Sequence, residues 1–361
     1  MIRKMPPQPL SSRPRVSVVI PCYNYGHFLP DCVGTVLDQP GIDLDVLIVD
    51  DASPDGSAQV AQRLADADPR VRLLAHATNQ GHIATYNEGL AAADGDYVVL
   101  LSADDVVVPG ALARSAALME ANPGVGLVYG FAPTFVDVPR PARTSVRSWT
   151  VWPGEEWLAQ ICRRGGNPVA TPEVMMRTSL MRELVGYDAR LPHSADFLLW
   201  LRAAARAQVG RVNGVDLAYY RVHGGNMHSS QFAGALADLS ERWRAFETFF
   251  AEDGLLVDAA ALRSSAARAV AREALVTVRQ AYELGAPAEQ AADLVAFAER
   301  VDPSCRGGRP WLVCQAHLNR GQAGRSPRVP VRLTATVDKA IFHARWRRWR
   351  RTGVLGAVRS L

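Results

Sequence analysis

The chain has 361 residues, of which 48% are hydrophobic and 21% are charged. This is ordinary globular composition for about two domains, and it excludes a mainly disordered, collagen-like or disulfide-framework protein. No apolar run reaches about 18 residues, the N-terminus lacks the apolar core of a signal peptide, and the five cysteines show no C-x-x-C spacing. We therefore expect a cytoplasmic protein without a transmembrane helix or a structural zinc site.

The net charge of +4 is distributed unevenly along the chain. Residues 305–361 contain thirteen Lys and Arg but a single acid, Asp338, so this segment carries +12 and the rest of the chain −8. The acidic body and the basic C-terminal segment therefore need separate explanations.

The first half of the chain alternates between two hydrophobic periods. After a proline-rich segment, 1–14, that is predicted to be a flexible leader, short β-branched runs alternate with amphipathic stretches of helical length. The predicted strands are 16–20, 46–49, 71–74, 97–101 and 126–129, and the predicted helices are 28–37, 58–65, 83–93 and 111–119. This alternation of continuously apolar strands with helices predicts an α/β fold, with a mostly parallel sheet flanked by helices.

The second half of the chain is less regular. Helices are predicted at 155–162 and 197–205, and strands at 174–177 and 217–222. We predict one domain over 15–228, divided into halves 15–131 and 132–228, and a helical extension of two or three helices over 229–304. Residues 305–361 are predicted to be a basic linker, with a connector over 305–330 and a last amphipathic helix near 334–352.

Several common catalytic motifs are missing from the sequence. No G-x-G-x-x-G follows the first predicted strand, and there is no G-x-x-x-x-G-K-[ST], H-E-x-x-H or G-x-S-x-G. These absences remove the usual support for a dinucleotide oxidoreductase, a P-loop NTPase, a zincin or a serine hydrolase.

Paired aspartates follow two of the predicted strands directly. Asp50 and Asp51 follow the second strand, and Asp104 and Asp105 follow the fourth. Because right-handed crossovers bring the carboxyl ends of parallel strands to one sheet edge, we expect both pairs at that edge. Clustered carboxylates repel one another unless a cation compensates, and oxygen ligands suit Mg²⁺ or Mn²⁺ beside a phosphate-bearing substrate. For 55–57, Asp-Gly-Ser, a turn that caps the next helix is the favoured alternative.

An ordered set of short segments carries a family resemblance. The segments are SVVIPCYN (17–24), VDDAS (49–53), NQG (79–81) with Asn87, GDY (95–97), SADD (102–105), GYD (186–188), DFLLWLR (196–202) and YRVH (220–223). In order and spacing they resemble the family 2 glycosyltransferases of the GT-A fold, over about residues 16–228. Ser102 and Ala195 stand where that family commonly has acids.

The resemblance implies a role for each matching position. It implies inverting transfer of a sugar from a UDP- or dTDP-sugar to an acceptor hydroxyl, with Asp196 as general base and a divalent metal, Mn²⁺ or Mg²⁺, bound by Asp105 and His223. The residues implied to bind the nucleotide sugar are Pro21, Tyr23, Asn24, Asp51, Asn79 and Asp104. Asp51 is implied to accept a hydrogen bond from N3–H of uracil or thymine.

Other interpretations stay open for the same residues. Asp196 could cap the helix that follows it, and a lone histidine such as His223, His193 or His228 is more often structural than a ligand. The tryptophans Trp152, Trp157 and Trp200 are predicted to be core residues, although one could stack on a sugar.

A catalytically inactive nucleotide-sugar-binding or scaffold protein is the alternative function. The acceptor class is a polysaccharide, a lipid-linked oligosaccharide or a natural product, with polysaccharide biosynthesis the default.

The basic C-terminal segment mixes cations with aromatic side chains over 339–351. It could form a helix that docks on the protein, or one that contacts an anionic membrane peripherally at the inner face. Nucleic acid is not expected as a partner, because the acidic body should repel phosphate backbones.

Overall fold

The computed structural model describes residues 1–226, 234–252, 254, 256–283 and 288–320, together with 344 and 347. The described residues form two compact units. The first consists of Met1–Trp157 and Pro168–Asn226, and the second of Leu158–Asn167 and the described residues that follow Asn226.

Strands and helices alternate as far as Arg221, all in the first unit except that the helix Gly154–Arg164 belongs to the second unit from Leu158 onward. In chain order they are β1 (Arg3–Met5), β2 (Arg15–Cys22), α1 (Leu29–Leu37), β3 (Asp43–Asp50), α2 (Ser57–Ala67), β4 (Val71–Ala75), α3 (His82–Ala91), β5 (Tyr97–Leu100), β6 (Val106–Val107), α4 (Ala111–Glu120), β7 (Val125–Tyr129), β8 (Thr134–Phe135), β9 (Ser148–Trp152), α5 (Gly154–Arg164), β10 (Met175–Arg177), α6 (Thr178–Leu184), α7 (Ala195–Arg206), β11 (Gln208–Asn213) and β12 (Ala218–Arg221). The predicted α/β class is confirmed.

The main sheet has the strand order β1-β9-β11-β7-β10-β5-β2-β3-β4. Strands β5, β2, β3 and β4 run parallel, as the sequence predicted for this half, whereas the other half mixes parallel and antiparallel pairs. Because β3 and β5 flank β2 in the same direction, the residues that follow them emerge at one edge. This topology brings both aspartate pairs to the same side of the sheet.

Helices cover both faces of the parallel strands. On one face, Val18 and Ile48 pack in a core with Leu29 of α1. On the other face, Gly89 of α3 lies against Val19, and a Cβ at Gly89 would be 2.3 Å from a methyl carbon of Val19. Continuous burial of these strands explains why their sequences are apolar at every position rather than at alternate positions.

The N-terminal segment is not a loose leader throughout. Arg3–Met5 forms β1, which pairs antiparallel with β9 along the edge of the sheet. The prediction failed because three residues followed directly by prolines carry no readable period, and only the partner strand supplies the hydrogen bonds.

A second, three-stranded sheet has the order β6-β12-β8. Strand β12 pairs antiparallel with β6 and parallel with β8. Since β6 directly follows the second aspartate pair in sequence, this sheet places the end of β12 beside that pair.

The second unit is helical. Its further helices are α8 (Ala235–Glu252), α9 (Ala259–Glu283), α10 (Ala288–Val301) and α11 (Arg309–Arg320). The first three match the two or three helices predicted for 229–304. Helix α11 corrects the prediction of a connector over 305–330: Pro310 is tolerated in a first helical turn, and the thiol of buried Cys314 donates to the carbonyl of Leu275 at 3.1 Å.

The basic segment 339–351 lies outside the described residues apart from 344 and 347. Within the described part of the chain, no helix combines the length and the apolar character needed to cross a bilayer.

Candidate active site

The loops after β2 and β3 meet in a strained turn. Asn24 and Ala52 have left-handed φ angles of 61° and 56°. The amide of Asn24 donates to Oγ of Ser53 at 3.0 Å, and the amide of Ser53 donates to Oδ2 of Asp50 at 3.0 Å. Oδ1 of Asn24 is buried and has no hydrogen-bond partner among the described residues. Left-handed non-glycine residues cost about 1–3 kcal/mol each and cluster at functional sites, so this turn is a candidate for ligand binding.

Asp51, which directly follows β3, is held in place by several hydrogen bonds. Its amide donates to the carbonyl of Cys22 at 2.9 Å, and its carboxylate accepts from the amides of Gln80 and Gly81 at 2.7 and 3.0 Å. The carboxylate also meets Nδ1 of His76 at 2.7 Å. Burial alone raises the pKa of Asp51, but these hydrogen bonds outweigh it and hold the pKa below its usual range. Asp51 is therefore an ionised acceptor at neutral pH.

Asn79 supports the loop that carries these amides. Its side-chain amide donates to the carbonyl of Asp51 at 3.2 Å, and its carbonyl oxygen accepts from the amide of Gly81 at 3.1 Å. Pro21 is buried in β2, whereas Tyr23 is 46% exposed just beyond it. The structure thus places Pro21, Tyr23 and Asn79 around the same edge as Asp51.

Asp104 and Asp105 lie against the end of β12. Oδ1 of Asp105 accepts from the amide of Arg221 at 2.9 Å, and Oδ2 of Asp104 lies 3.0 Å from Nε2 of His223 and 3.3 Å from Nδ2 of Asn226. These contacts join chain segments more than a hundred residues apart. They bring the predicted residues Asp104, Asp105 and His223 together.

Oδ2 of Asp105 has no partner among the described residues, although the side chain is only 1% exposed. Burial, followed by the charge of Asp104, raises the pKa of Asp105 well above its usual range. A buried carboxylate oxygen without a donor is costly, so this atom is available for a cation or a protonated ligand. Among the described residues, no group of three or more His, Cys, Asp or Glu is arranged to hold a metal ion unaided.

Arg221 holds both aspartates, Asp105 through its backbone amide and Asp104 through its side chain, but its guanidinium does not bond to either carboxylate. Its Nε donates to the carbonyl of Asp104 at 2.8 Å, and its guanidinium lies 4.7 Å from the ring centre of Phe28 and 4.5 Å from that of Phe135. The planar guanidinium is therefore held between two aromatic rings, which is a geometry that lysine cannot reproduce.

Asp196 is half-buried in the first turn of α7, where its Oδ1 accepts from the amide of Phe197 at 2.6 Å. The interpretation that Asp196 caps the helix is wrong, because α7 already begins at Ala195 and its N-cap residue is Ser194. The dipole of α7 nevertheless stabilises a carboxylate in the first turn. The contact with the amide of Phe197 does not preclude a second role for Asp196, because a carboxylate oxygen accepts more than one hydrogen bond.

The charges of Asp104, Asp105 and Asp196 all act on the phenol of Tyr220. Burial raises the pKa of Tyr220 to about 12, and the charges of Asp105, Asp104 and Asp196 contribute to the increase. The same three charges raise the pKa of Tyr86 on α3, after burial as the main cause. Carboxylates that act on the same two phenols lie around the same part of the molecule, so Asp196 is not on a remote surface.

Helix α3 connects the two sides of this region. Nε2 of His82 lies 3.0 Å from the carbonyl oxygen of Pro192, just before α7, and the ring of Tyr86 meets that of Tyr187 at 5.5 Å. Asn87 exchanges hydrogen bonds of 2.8 and 2.7 Å with the backbone of Tyr187. The contacts of α3 therefore join the region of 79–87 to that of 186–188, and together they position α7.

The remaining predictions concern residues away from this edge or outside the described chain. Trp152, Trp157 and Trp200 are buried, which confirms their prediction as core residues. His193 is half-buried before α7, and His228 lies outside the described residues. The turn at 55–57 is confirmed, because the amide of Ser57 donates to Oδ1 of Asp55 at 3.0 Å.

Sequence reasoning missed His76 and Asn226 and gave Arg221 no role of its own. His76 directly follows β4, so extending the search for strand-end residues from acids to all polar side chains would have found it. Asn226 had no such signal, because its contact with Asp104 depends on the turn after β12.

Comparison with known proteins agrees with this geometry. The model of the family described as Glycosyl transferase family 2 matches residues 17–183. An uncharacterized glycosyltransferase of Nostoc sp. is 29% identical over 225 residues, which cover 60% of this chain and 67% of that protein. Glycosyltransferase GlyG of Streptococcus pneumoniae is 38% identical over 93 residues, which cover 26% of this chain and 31% of GlyG.

Solved structures share the fold. The S. aureus protein TarS, residues 1–349, in complex with UDP-GlcNAc, superposes with a TM-score of 0.60 at 16% identity, covering 84% of this chain and 88% of that one. The mannosyltransferase PcManGT from Pyrobaculum calidifontis, in complex with GDP-Man and Mn²⁺, gives a TM-score of 0.53 at 20% identity, with 87% of each chain covered.

The α/β fold and these relatives define an enzyme of the glycosyltransferase class with the GT-A fold. More specifically, the chain resembles glycosyl transferase family 2 over residues 17–183.

Proposed function

We propose that the enzyme transfers a sugar from a UDP- or dTDP-sugar to an acceptor hydroxyl, with inversion at the anomeric carbon and in a single displacement. The observation that carries the proposal is the grouping of Asp104, Asp105 and Asp196 around Tyr220, with Oδ2 of Asp105 buried and unpartnered. Buried acids gathered in one place are costly unless they have a chemical use.

The nucleotide is assigned to the strained turn and to Asp51. The ionised carboxylate of Asp51 can accept N3–H of a pyrimidine base, and the buried, unpartnered Oδ1 of Asn24 offers a second polar contact. The complex of TarS with UDP-GlcNAc supports a uridine donor on a similar fold. In this proposal Pro21, Tyr23 and Asn79 border the nucleotide.

A divalent cation, Mn²⁺ or Mg²⁺, fits the unpartnered oxygen of Asp105. The absence of a complete three-ligand cluster among the described residues agrees with a site that the donor's phosphates and water would complete, as is usual for magnesium in nucleotide enzymes. When bound, the cation would neutralise the charge that develops on the departing diphosphate. Asp105 would hold it directly and Asp104 would lie nearer the sugar. His223 is proposed as a further ligand or a diphosphate donor that would exchange its hydrogen bond to Asp104 for the donor complex.

Asp196 is proposed as the general base. A single displacement needs one carboxylate to take the proton of the acceptor hydroxyl, and the start of a helix, where Asp196 lies, is a favourable place for a carboxylate. A glycosidase would instead need two carboxylates flanking the sugar, one of them protonated. Asp104 and Asp105 are held by Nε2 of His223 and by the backbone amide of Arg221, which supports assigning them to the cation and the donor rather than to a glycosidase pair.

The acceptor is proposed only as a class: a polysaccharide, a lipid-linked oligosaccharide or a natural product bearing a free hydroxyl. A contact of 339–351 with an anionic membrane would favour a lipid-linked acceptor and a peripheral location at the inner face of the membrane.

Calorimetric titration of UDP with and without Mn²⁺, followed by a UDP-release assay on a panel of nucleotide sugars, tests the proposal. We expect Mn²⁺ to strengthen UDP binding and at least one UDP- or dTDP-sugar to be turned over. Failure of every nucleoside diphosphate to bind in the presence of Mn²⁺ would refute it.

A further inference from the structure

His76 lies between two carboxylates at the edge of the sheet. It follows β4 directly, and its amide extends the pairing with β3 by donating to the carbonyl of Asp50 at 2.9 Å. The imidazole side chain is only 2% exposed. Nδ1 lies 2.7 Å from Oδ1 of Asp51, and Nε2 lies 2.9 Å from Oε2 of Glu88 on α3.

The two contacts determine the protonation of the ring. An ionised carboxylate oxygen can only accept a hydrogen bond, so both nitrogens of His76 must donate, and the ring is an imidazolium. Burial lowers the pKa of His76, but its hydrogen bonds to Asp51 and Glu88 outweigh burial and raise the pKa above its usual value. The resulting chain of carboxylate, imidazolium and carboxylate holds Asp51 in one orientation.

The protein uses most of the acceptor positions of Asp51. A carboxylate offers about four lone-pair positions, two on each oxygen. Oδ1 accepts from His76 and from the amide of Gln80, and Oδ2 accepts from the amide of Gly81. The hydroxyl of Thr85 is close enough to Asp51 to lower its pKa, and while its single proton is donated to the carbonyl of Gly81 at 3.0 Å it leaves the second position of Oδ2 open. One position remains, on Oδ2.

We propose that His76, supported by Glu88, is a positioning residue that leaves Asp51 with a single open acceptor site and thereby selects a base with one ring N–H over guanine. This inference rests on the nucleotide site of the proposed function. The imide of uracil or thymine offers one N–H and fits the open site. Guanine presents N1–H and the N2 amino group side by side and needs both carboxylate oxygens, of which Oδ1 is already filled. Cytosine lacks the N3 proton altogether.

The test compares affinities for UDP, 3-methyluridine diphosphate and GDP by calorimetry, all with Mn²⁺ present. The methylated nucleotide keeps the shape and the diphosphate but cannot donate from N3. For the wild-type protein we expect UDP to bind at least about 10-fold more tightly than either analogue, which corresponds to roughly 1.4 kcal/mol.

Three variants separate positioning from a general effect on folding. In His76→Phe, UDP binding should weaken at least about 10-fold, 3-methyluridine diphosphate binding should be unchanged, and the preference over GDP should shrink, because Oδ1 becomes open. His76→Gln keeps one donor toward Asp51 and should recover part of the preference. The side chain of Glu88 is 44% exposed, so Glu88→Gln should disturb folding least of the three variants. It should weaken UDP binding by about 3-fold without affecting binding of the methylated analogue.

Each outcome has a definite meaning. Equal loss of affinity for UDP and for 3-methyluridine diphosphate in the His76 variants would show a merely structural role and overturn the inference. Equal binding of GDP and UDP by the wild-type protein would also overturn it, while leaving the proposed glycosyl transfer intact. Absence of binding by all three nucleotides would refute the proposed function together with the inference.

Discussion

Nε2 of His223 lies 3.0 Å from Oδ2 of Asp104, although 119 residues separate the two along the chain. Nδ1 of the same ring accepts from the amide of Gly225 at 3.1 Å, so in the neutral ring the proton resides on Nε2 and is donated to Asp104. The hydroxyl of Tyr25 donates to the carbonyl of Gly225 at 3.0 Å and fixes this turn. The end of β12 is thereby tied to the second aspartate pair, and the predictions for Asp105 and Arg221 depend on this closed arrangement.

Replacing Asp105 with asparagine should separate function from stability. The carboxylate has a raised pKa because it is buried beside Asp104, so removing its charge relieves an electrostatic cost to folding. We expect Asp105→Asn to unfold at the same temperature as the wild type or a higher one, while Mn²⁺-dependent UDP binding falls at least about 10-fold. Calorimetric titration and thermal unfolding measure the two effects, and a large loss of thermal stability with intact Mn²⁺ dependence would contradict the assignment.

The linked charges of His76, Asp51 and Glu88 predict a specific pH dependence of stability. The raised pKa of His76 means that its contribution is complete below about pH 6.5 and is lost as the pH rises through the folded-state value. The lowered pKa of Asp51 means that its contribution persists above about pH 4 and is lost only in stronger acid. The difference in free energy of unfolding between the wild type and His76→Phe should therefore be largest near pH 5–6.

Urea unfolding of both proteins from about pH 5 to pH 9 measures this difference, and His82→Phe serves as the matched control on the neighbouring helix. A difference that grows toward pH 9 would contradict the imidazolium assignment.

The position of Arg221 between Phe28 and Phe135 predicts that lysine cannot replace it. Arg221→Lys keeps the charge but loses the planar stacking and the donor to the carbonyl of Asp104. We expect a loss of about 1–3 kcal/mol in the free energy of unfolding and weaker donor binding. Arg114→Lys, at a residue whose guanidinium donates to the nearby carbonyl of Pro109, is the control and should change neither quantity appreciably. Equal changes in the free energy of unfolding and in donor binding for Arg221→Lys and Arg114→Lys would show that the stacking of Arg221 has no special role.

The basic segment 339–351 makes a prediction that depends on sequence alone. A peptide of this charge and aromatic content should gain about 1 kcal/mol of binding for each cation near an anionic surface. The full-length protein should therefore sediment with anionic vesicles, and a version ending at Pro330 should not. Equal sedimentation of the two proteins would exclude the membrane contact.

The parallel half of the sheet and the edge where the site forms were predictable because their signals are local. Continuous apolar strands such as 46–49 reveal burial on both faces, and polar residues directly after them must leave the sheet at a common edge. Asp51, Asp104 and Asp105 were found by this rule. Strand β1 could not be found in the same way, since its hydrogen bonds come from β9, about 145 residues further on.

The partners of the site residues were not predictable from the sequence. The contact of Asn226 with Asp104 and the placement of Arg221 between two aromatic rings depend on β12 joining β6 and β8 in a second sheet. Neither strand has the length to show a period, because β6 and β8 are two residues each. Tertiary packing alone decides such short pairings.

The central claim, that Asp196 is the base of a displacement on a bound nucleotide sugar, is tested most directly by Asp196→Asn. Asparagine keeps the size of the side chain and an acceptor for the amide of Phe197, but it cannot take a proton. With a donor sugar that the wild type turns over, and Asp137→Asn on the exposed surface as control, we predict a fall in kcat of about 10²–10⁴ and an unchanged Kd for UDP with Mn²⁺. Turnover at the wild-type rate by Asp196→Asn would contradict the account.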